Sequence, residues 1–419
     1  MQNGDHLNGN DPNGLLARIG GVWAGHVLQG QFQYEVAGLL KRTSNRFPGA
    51  QPVSFSKAHL EELKRADYYV CEKTDGMRYL LWMTDDAGRP INYLIDRKND
   101  YYFVDGLFFP HQDSKDWTKA HEDTILDGEL VEDRFPDGTT QIKFYVFDCL
   151  MIDKQDLMGR PLDKRLAYFQ MNILKPYKAY RRAHPEKDQP FQLADKSNEF
   201  SYGLEKMFKE TIPKVKLLHG NDGLIFTCKD SPYCPGTDPH ILKWKPPEEN
   251  TVDFLLHITW HTEPADPMDA DQSPIEDYHT MPQDFGLYVN YGRDQYERHG
   301  ELYVSPEEWQ NFKSMNRPLQ DSIIECFVED ASQSPPNGLN GHNHSNGTNS
   351  AAAGKRWRFH RFRDDKEEAN HISTFESVQD SIMDRVTEED LLKHAGDIRA
   401  RWKARDAERK ASVAPGGGK

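Results

Sequence analysis

The sequence predicts an α+β fold, in which a larger domain of mostly antiparallel strands precedes a smaller β-barrel domain. Three observations support this. The length of 419 residues exceeds what one hydrophobic core usually serves. Short runs rich in aromatic and β-branched residues recur between turn signals, and few segments have helical periodicity. Two stretches, at the start and at about residues 331–354, are too poor in apolar residues to fold alone.

The elements of the larger domain follow in chain order. Residues 1–20 are rich in Asn and Gly, and we expect them to be disordered. The domain then spans residues 21–246. Its helices are predicted to begin near Ser56, at Asp163 as a capping residue, and at Tyr202. Its predicted strands are YLLWM, NYLID, YYFV, TILDGELV and KFYVFDCLMI, within residues 79–152.

The smaller domain is predicted to span residues 247–387. Its strands are TVDFLLHITW, FGLYVNYG, ELYVS and SIIECFVED. The stretch at about 331–354 is predicted to be a disordered insertion, and order resumes at Trp357. Residues 388–419 are predicted to form a charged helix followed by a Gly-rich tail.

Composition limits the classes of function. The five cysteines are scattered, and no long apolar run or secretory signal occurs, so we expect an intracellular protein without disulfides or membrane spans. The net charge of −15 argues against a broad basic face for nucleic acid. Any RNA contact should therefore be local.

The main chemical signal is the string KTDGMR, from Lys73 to Arg78, between two β-like runs. It is compatible with a solvated lysine beside an Asp-Gly hairpin turn. It is also compatible with a nucleophilic lysine at a strand end, a glycine that lets the backbone approach a phosphate, and an arginine for ribose or phosphate. The string alone leaves both interpretations open.

Further motifs follow this string in a fixed order: IDRKNDYYFV, LDGELV, FYVFDCL, DGLIFT, ILKWKP, NTVDF and WRFHRFRDDKEEAN. The series resembles the superfamily of covalent nucleotidyltransferases, which contains mRNA capping guanylyltransferases and ATP-dependent polynucleotide ligases. The resemblance extends from Lys73 to Asn370. Asp222-Gly223, where ligases usually carry Glu-Gly, and a string similar to the RxDK signature favour the capping enzymes. Because no phosphatase-like CxxxxxR loop occurs, the chain resembles the stand-alone fungal type.

This resemblance implies a two-step reaction. Lys73 attacks the α-phosphorus of GTP as the neutral amine, and the lysyl-GMP then passes to diphosphate-ended RNA. It also implies a divalent metal, Mg²⁺ or Mn²⁺, and an OB-fold for the smaller domain. The implied partners are a separate RNA triphosphatase and the phosphorylated carboxy-terminal repeat of RNA polymerase II, and the implied location is the nucleus.

Roles around the nucleotide follow from the same resemblance. Arg78 and Arg97 are assigned to the ribose and phosphates, with surface salt bridges as the alternative. Glu129 is assigned as a contact of the ribose or of the metal ion and its ligands. The alternative is an exposed glutamate that follows a turn at Asp127-Gly128. Phe147 is expected to stack on guanine while Phe144, on the opposite strand face, lies in the core, although the two roles compete.

The remaining assignments concern charges near the phosphates. Lys243 and Lys245 alternate along ILKWKP, so in a strand both point to one face. There they would favour the neutral amine of Lys73 and hold the α-phosphate. The alternative is a solvated basic strand. Asp222 is expected near the α-phosphate and metal, or is a turn aspartate. Asp253 resembles a family aspartate needed for transfer, or caps a strand entry.

The last motif supplies Arg363, Asp365 and Lys366, which are expected to contact the β and γ phosphates only when the second domain closes. Two other functions stay open. An ATP-dependent polynucleotide ligase would use ATP instead of GTP, and a non-catalytic transcription-associated scaffold would suit the acidic charge. Intact Lys73, Lys243 and Arg363 disfavour the scaffold.

Overall fold

The computed structural model describes residues 14–263, 275–315, 317–330 and 354–413. These residues form two compact units. The first runs to Trp244 and resumes at Val386, and the second extends from Lys245 to Arg385. The expected disordered insertion, apart from Gly354, and the tail from residue 414 lie outside the described residues. Among the described helices, none is long and apolar enough to cross a membrane.

The strands of the first unit form two sheets. The larger sheet has the order β1-β6-β5-β4-β7-β8-β10, with β9 beside β8, and the smaller has the order β11-β3-β12-β13-β2. Neighbouring strands are antiparallel except for the pairs β8/β10 and β2/β13, which confirms the mostly antiparallel prediction. The strands are β1 (Val22–Trp23), β2 (Ala50–Ser54), β3 (Tyr68–Thr74), β4 (Met77–Asp86), β5 (Arg89–Ile95), β6 (Tyr101–Phe103), β7 (Thr124–Arg134), β8 (Thr140–Ile152), β9 (Gln155–Asp156), β10 (Gln192–Asp195), β11 (Glu199–Phe200), β12 (Asn221–Cys228) and β13 (Gly236–Trp244).

The larger sheet is buried on both faces. Along β4, Tyr79 and Leu81 belong to one apolar cluster, whereas Leu80 and Trp82 belong to another. This is why YLLWM is continuously apolar instead of alternating with polar residues.

The helices of the first unit cover the sheets. They are α1 (Leu15–Arg18), α2 (Gly25–Leu39), α3 (Lys57–Arg65), α4 (Leu162–Tyr168), α5 (Lys175–Ala183), α6 (Leu204–Lys206) and α7 (Ile212–Val215), with π-helical turns at Phe169–Leu174 and Met207–Thr211. The capping prediction for Asp163 is wrong, because α4 begins at Leu162 after Pro161. Asp163 instead lies in the first turn, where a carboxylate favours the positive end of the helix dipole.

The expectation of disorder over residues 1–20 is wrong for the part that the structure describes. Leu15, Leu16 and Ile19 are buried in the core of the larger sheet. The apolar side chains of this short segment therefore anchor it, although its Asn/Gly-rich neighbourhood suggested otherwise. Residues 1–13 lie outside the described residues.

The second unit contains a five-stranded antiparallel sheet of order β18-β17-β14-β19-β20. The sheet is not a closed barrel, but Leu302, directly after β18, forms a parallel bridge with Trp357 of β20. The two edges of the sheet therefore approach each other. The elements are β14 (Thr251–Thr259), β15 (His261–Glu263), β16 (Ile275–Asp277), β17 (Asp284–Gly292), β18 (Gln295–Glu301), α8 (Pro306–Ser314), β19 (Ile323–Asp330), β20 (Lys355–Phe362) and α9 (Ile372–Met383), with a 3₁₀ turn at Pro247–Glu249.

The predicted strand ELYVS is displaced from the observed one. The observed strand, β18, precedes ELYVS in the chain and is polar. All of ELYVS except its first residue, Glu301, lies between β18 and α8. Ser305 and Glu308 form a capping box around Pro306 at the first helical position, so the start of this helix ends the extended segment.

The charged helix predicted from Glu388 is present as α10 (Glu388–Val413), but it is part of the first unit. Leu391 and Ile398 are buried together with Leu63 of α3. Arg405 and Arg409 both form ion pairs of 2.6 Å with the buried Asp67. The helix therefore completes the core of the smaller sheet and is not a separate terminal segment.

Candidate active site

A cavity of about 120 Å³ lies between the two sheets of the first unit. The smaller sheet contributes wall residues from β3, β12 and β13, and the larger sheet contributes them from β4, β7 and β8. Pairing of distant strands thus brings together five of the residues predicted from the sequence: Lys73, Arg78, Arg97, Glu129 and Phe147.

Lys73 lies one residue before the end of β3. Its ammonium donates to both carboxylate oxygens of Asp222, at 2.7 and 2.8 Å. Asp222 is the second residue of β12, where the pairing with β3 is irregular between Asn221 and Leu224. This irregularity replaces a regular ladder with the Asn-Asp-Gly segment that carries the carboxylate. The nearest charge to the predicted nucleophile is therefore a carboxylate and not a second lysine.

Arg78 is held by Asp127, a residue that the sequence interpretation did not assign. Its Nε and Nη2 atoms donate to the two oxygens of Asp127 at 2.9 and 2.6 Å, and Nη1 donates to the carbonyl of Ala50 at 2.5 Å. Tyr233 also donates to Asp127, at 2.5 Å. Burial opposes the charge on Arg78, but pairing with Asp127 outweighs it and raises the pKa of Arg78. The guanidinium is thus fixed within the cavity wall.

Phe147 and Phe144 occupy opposite faces of β8. Phe144 is fully buried in the core, whereas Phe147 lines the cavity. The Arg78 guanidinium lies 5.5 Å from the centre of the Phe147 ring. The ring exposed to the cavity is therefore the one that precedes Asp148, and Asp148 itself forms a buried ion pair of 2.7 Å with Arg165.

Lys196 is a further cavity residue. The sequence does not identify the residue that contacts the guanine oxygen, because several lysines between Lys196 and Lys216 are eligible, and of these Lys196 lines the cavity. Its Nζ donates to Oε2 of Glu129 at 3.1 Å. Desolvation opposes the charge, but Glu129 outweighs it and raises the pKa of Lys196. The sequence signal for a cation at this position is the alternation of Asp127 and Glu129 in LDGE, which puts two carboxylates on one strand face.

Arg97 differs from the other cavity cations. Within the described residues, no carboxylate lies at ion-pair distance from its guanidinium, and the residue as a whole is exposed. Partial desolvation in the concave surface and then the nearby Arg78 lower the pKa of Arg97. It is therefore a cation available for an anionic ligand.

Lys243 shares the cavity-facing side of the smaller sheet. It pairs with Ile225 across β13 and β12, and directly paired antiparallel residues point to the same side. Ile225 lines the cavity, whereas Trp244 is buried on the opposite side. Lys245 follows the end of β13 and begins the second unit, so the structure does not place it with the cavity residues.

The predicted residues of the second unit form an ion-pair cluster around the buried Asp253. Arg363 Nη1 donates to Asp253 at 2.9 Å, and Lys366 pairs with the same carboxylate. Arg363 also binds both oxygens of Asp365, at 2.9 and 2.8 Å, which lowers the pKa of Asp365 to about 2. The structure thus brings together NTVDF and the last motif, about 110 residues apart in sequence.

The predicted metal residues offer suitable donor atoms. Asp222 and Glu129 supply carboxylate oxygens, the ligands that Mg²⁺ and Mn²⁺ prefer, so these residues fit such an ion. In the part of the chain that the structure describes, the group of three His/Cys/Asp/Glu side chains compact enough to share an ion is His111, His121 and Asp153. None of these three lines the cavity.

Comparison with known proteins finds matches along most of the chain. The catalytic domain of mRNA capping enzymes matches residues 18–247, and the C-terminal domain of mRNA capping enzymes matches residues 249–392. The chain is 44% identical to mRNA-capping enzyme subunit alpha of Neurospora crassa, over 93% of this chain and 94% of that protein. It is 45% identical to the Schizosaccharomyces pombe protein of the same name, over 87% and 83%. The Saccharomyces cerevisiae protein of this name is 37% identical, over 90% and 84%.

Proposed function

Because the chain belongs to the mRNA capping enzyme family, we propose that it transfers GMP from GTP to diphosphate-ended RNA and so forms the GpppN cap. The observation that carries this proposal is the composition of the cavity. It combines a lysine, further cations, carboxylates and the aromatic ring of Phe147. These serve as nucleophile, phosphate ligands, metal ligands and base platform.

In the first step, the Lys73 amine attacks the α-phosphorus of GTP. The nitrogen–phosphorus bond forms while the bond from the α-phosphorus to the bridging oxygen breaks, and pyrophosphate leaves. The amine gives up its proton, and Asp222 is the base in contact with it. In the second step, a terminal oxygen of the RNA diphosphate attacks the same phosphorus. The nitrogen–phosphorus bond breaks, and Lys73 recovers a proton.

The remaining cavity residues, together with the two lysines of ILKWKP, hold the nucleotide. Phe147 stacks on guanine, and Lys196 is the candidate donor to the guanine oxygen. Glu129 and Arg78 contact the ribose, and the phosphates bind Arg97 and the two lysines of ILKWKP, Lys243 and Lys245. A divalent metal bound through Asp222 and Glu129 would supply positive charge beside the phosphates.

The second unit is proposed to be an OB-fold. Its strand order, with α8 between the third and fourth strands and a bridge between the sheet edges, supports a partly open five-stranded barrel. On this unit, Arg363, Asp365 and Lys366 are proposed to contact the β and γ phosphates in the first step, and Asp253 to support transfer.

The proposed partners follow from this activity. The acceptor RNA is a product of an RNA triphosphatase. The relatives are named as subunit alpha, which indicates a further subunit, and we propose that this subunit is the triphosphatase. Binding to the phosphorylated repeat of RNA polymerase II and a nuclear location are proposed on the same basis.

Covalent labelling tests the function. Purified protein with Mg²⁺ or Mn²⁺ is incubated with α-labelled GTP or ATP and run on a denaturing gel. We expect label from GTP only, lost in Lys73→Ala and retained in Lys154→Ala, whose exposed lysine pairs with Glu122 outside the cavity. Labelling by ATP would indicate a ligase, and no labelling by either nucleotide would indicate a scaffold.

A further inference from the structure

A second concave surface adjoins the cavity of Lys73. This acceptor cleft, as we name it, has a volume of about 430 Å³, within the range of roughly 300 to 1,000 Å³ for ligand sites. It lies among the second half of α2, the segment before β2 and the turn after β5. Arg97 lines both the cleft and the cavity, so the two share this residue as part of their walls.

The charge of the acceptor cleft is opposite to that of the chain. Arg46, Arg97 and Lys98 line it, and none of its lining residues is acidic, although the net charge of the protein is −15. All three cations are exposed to solvent. In the described residues, no carboxylate lies within ion-pair distance of their side chains. Three unneutralised cations in one cleft of an acidic protein indicate an anionic ligand.

The walls of the acceptor cleft are fixed to one another. Gln33 of α2 donates to the carbonyl of Asn99 at 3.2 Å, and the Asn99 amide donates to the carbonyl of Asn45 at 2.7 Å. The side-chain oxygen of Asn99 is buried and receives no hydrogen bond from the described residues. Buried acceptors are normally paired, and this unsatisfied oxygen belongs to a residue that lines the cleft.

We propose that the acceptor cleft binds the 5′ end of the acceptor RNA, with its phosphates on Arg46 and Lys98 and its terminal phosphate at Arg97. RNA combines the two groups that the cleft can satisfy, phosphates for the cations and ribose hydroxyls for the amides. Because Arg97 lines both the cleft and the cavity, a terminal phosphate bound to it would lie beside the cavity that Lys73 lines. This inference rests on the proposed guanylyltransferase function.

The first test is direct binding. A fluorescent 5′-diphosphate oligoribonucleotide is titrated with wild-type protein and with the double variant Arg46→Ala/Lys98→Ala. We expect affinity at least tenfold weaker in the double variant, and a log–log salt slope reduced by about 1.4, from about 0.7 per lost phosphate contact. The matched variant Lys115→Ala/Lys119→Ala removes two exposed lysines that line neither cavity nor cleft and should bind as wild type.

The second test separates the half-reactions. We expect the double variant to form lysyl-GMP from GTP as wild type does and to be discharged normally by pyrophosphate, while half-maximal transfer to RNA requires at least tenfold more RNA. Equal RNA affinity in wild type and double variant would overturn the proposal. It would also be overturned if pyrophosphate discharged the adduct of the double variant as poorly as RNA does, because the cleft would then be assigned to pyrophosphate. If the wild type formed no adduct, the guanylyltransferase function would fail, and the binding measurement would still decide on the cleft.

Discussion

The cations of the candidate active site are mostly paired with carboxylates. Lys73 pairs with Asp222, and Lys196 pairs with Glu129. The order of the motifs along the chain predicted Lys73 as the nucleophile and its neighbours as phosphate ligands. It could not reveal the buried Arg78–Asp127 pair, because that contact depends on the packing of β4 against β7. The sequence shows only that the two carboxylates of LDGE, Asp127 and Glu129, lie on the same face of a strand.

Phe147 is predicted to provide the base platform. Phe147→Ala should raise the GTP concentration for half-maximal adduct formation, corresponding to about 1 to 3 kcal/mol of lost stacking, without unfolding the protein. Phe144→Ala is the matched control, because that ring is fully buried and its loss should cost about 3 to 5 kcal/mol of stability. GTP titration and thermal unfolding of both variants measure these effects. The reverse pattern would show that the two faces of β8 had been assigned wrongly.

Asp133 gives a prediction of pH dependence. Burial favours its neutral form, but hydrogen bonds from His219, Lys143 and Tyr145, all at 2.7 Å, outweigh burial and lower the pKa of Asp133 to about 2. Because this folded-state pKa lies below the usual value of 3.8, the carboxylate stabilises the protein above about pH 4, and the contribution disappears as pH falls towards 2.

The Asp133→Asn variant tests this pH dependence. The free energy of unfolding of this variant should be lower than that of the wild type, and the difference should be about 2 kcal/mol larger at pH 5.5 than near pH 2. Denaturant unfolding across that range measures it, with Asp105→Asn, an exposed position, as control. A deficit independent of pH would contradict the assignment.

At the scale of elements, periodicity and β-propensity predicted most strands correctly, since β4 to β8 bury their own apolar residues. The failures have local causes. The polar strand β18 has no apolar alternation, so ELYVS attracted the prediction instead. Helix α1 is too short to show periodicity, and only its docking against the larger sheet orders it. In each case tertiary contacts decided a structure that the local sequence left undefined.

Helix α10 is predicted to be essential for the stability of the first unit. Leu391 is fully buried against the smaller sheet, so Leu391→Ala should lower the free energy of unfolding by about 2 to 5 kcal/mol. Glu389→Ala, at an exposed position of the same helix, should change it by less than about 0.5 kcal/mol. Equilibrium denaturation of both variants measures the difference. Equal effects would mean that the helix is merely appended.

At the scale of the whole molecule, the last motif and the nucleophile belong to different units. The β and γ phosphates are present only in the first step. Arg363→Ala and Lys366→Ala should therefore reduce lysyl-GMP formation strongly and affect transfer from preformed adduct much less. The control is Arg298→Ala, a surface arginine of the second unit paired with Asp284. Near-normal adduct formation, or equal losses in both steps measured with labelled GTP, would refute this role.

The return of the chain to the first unit at Val386 has a consequence for biosynthesis. A ribosome releases residues in order, and domains generally begin to fold as they emerge. The core that contains Leu63 also requires Leu391 and Ile398, so it is incomplete until the ribosome has translated residue 398. All residues of the second unit emerge before α10. A nonsense codon shortly after Arg385 would thus remove part of a hydrophobic core, and the truncated product would be a substrate for proteolysis.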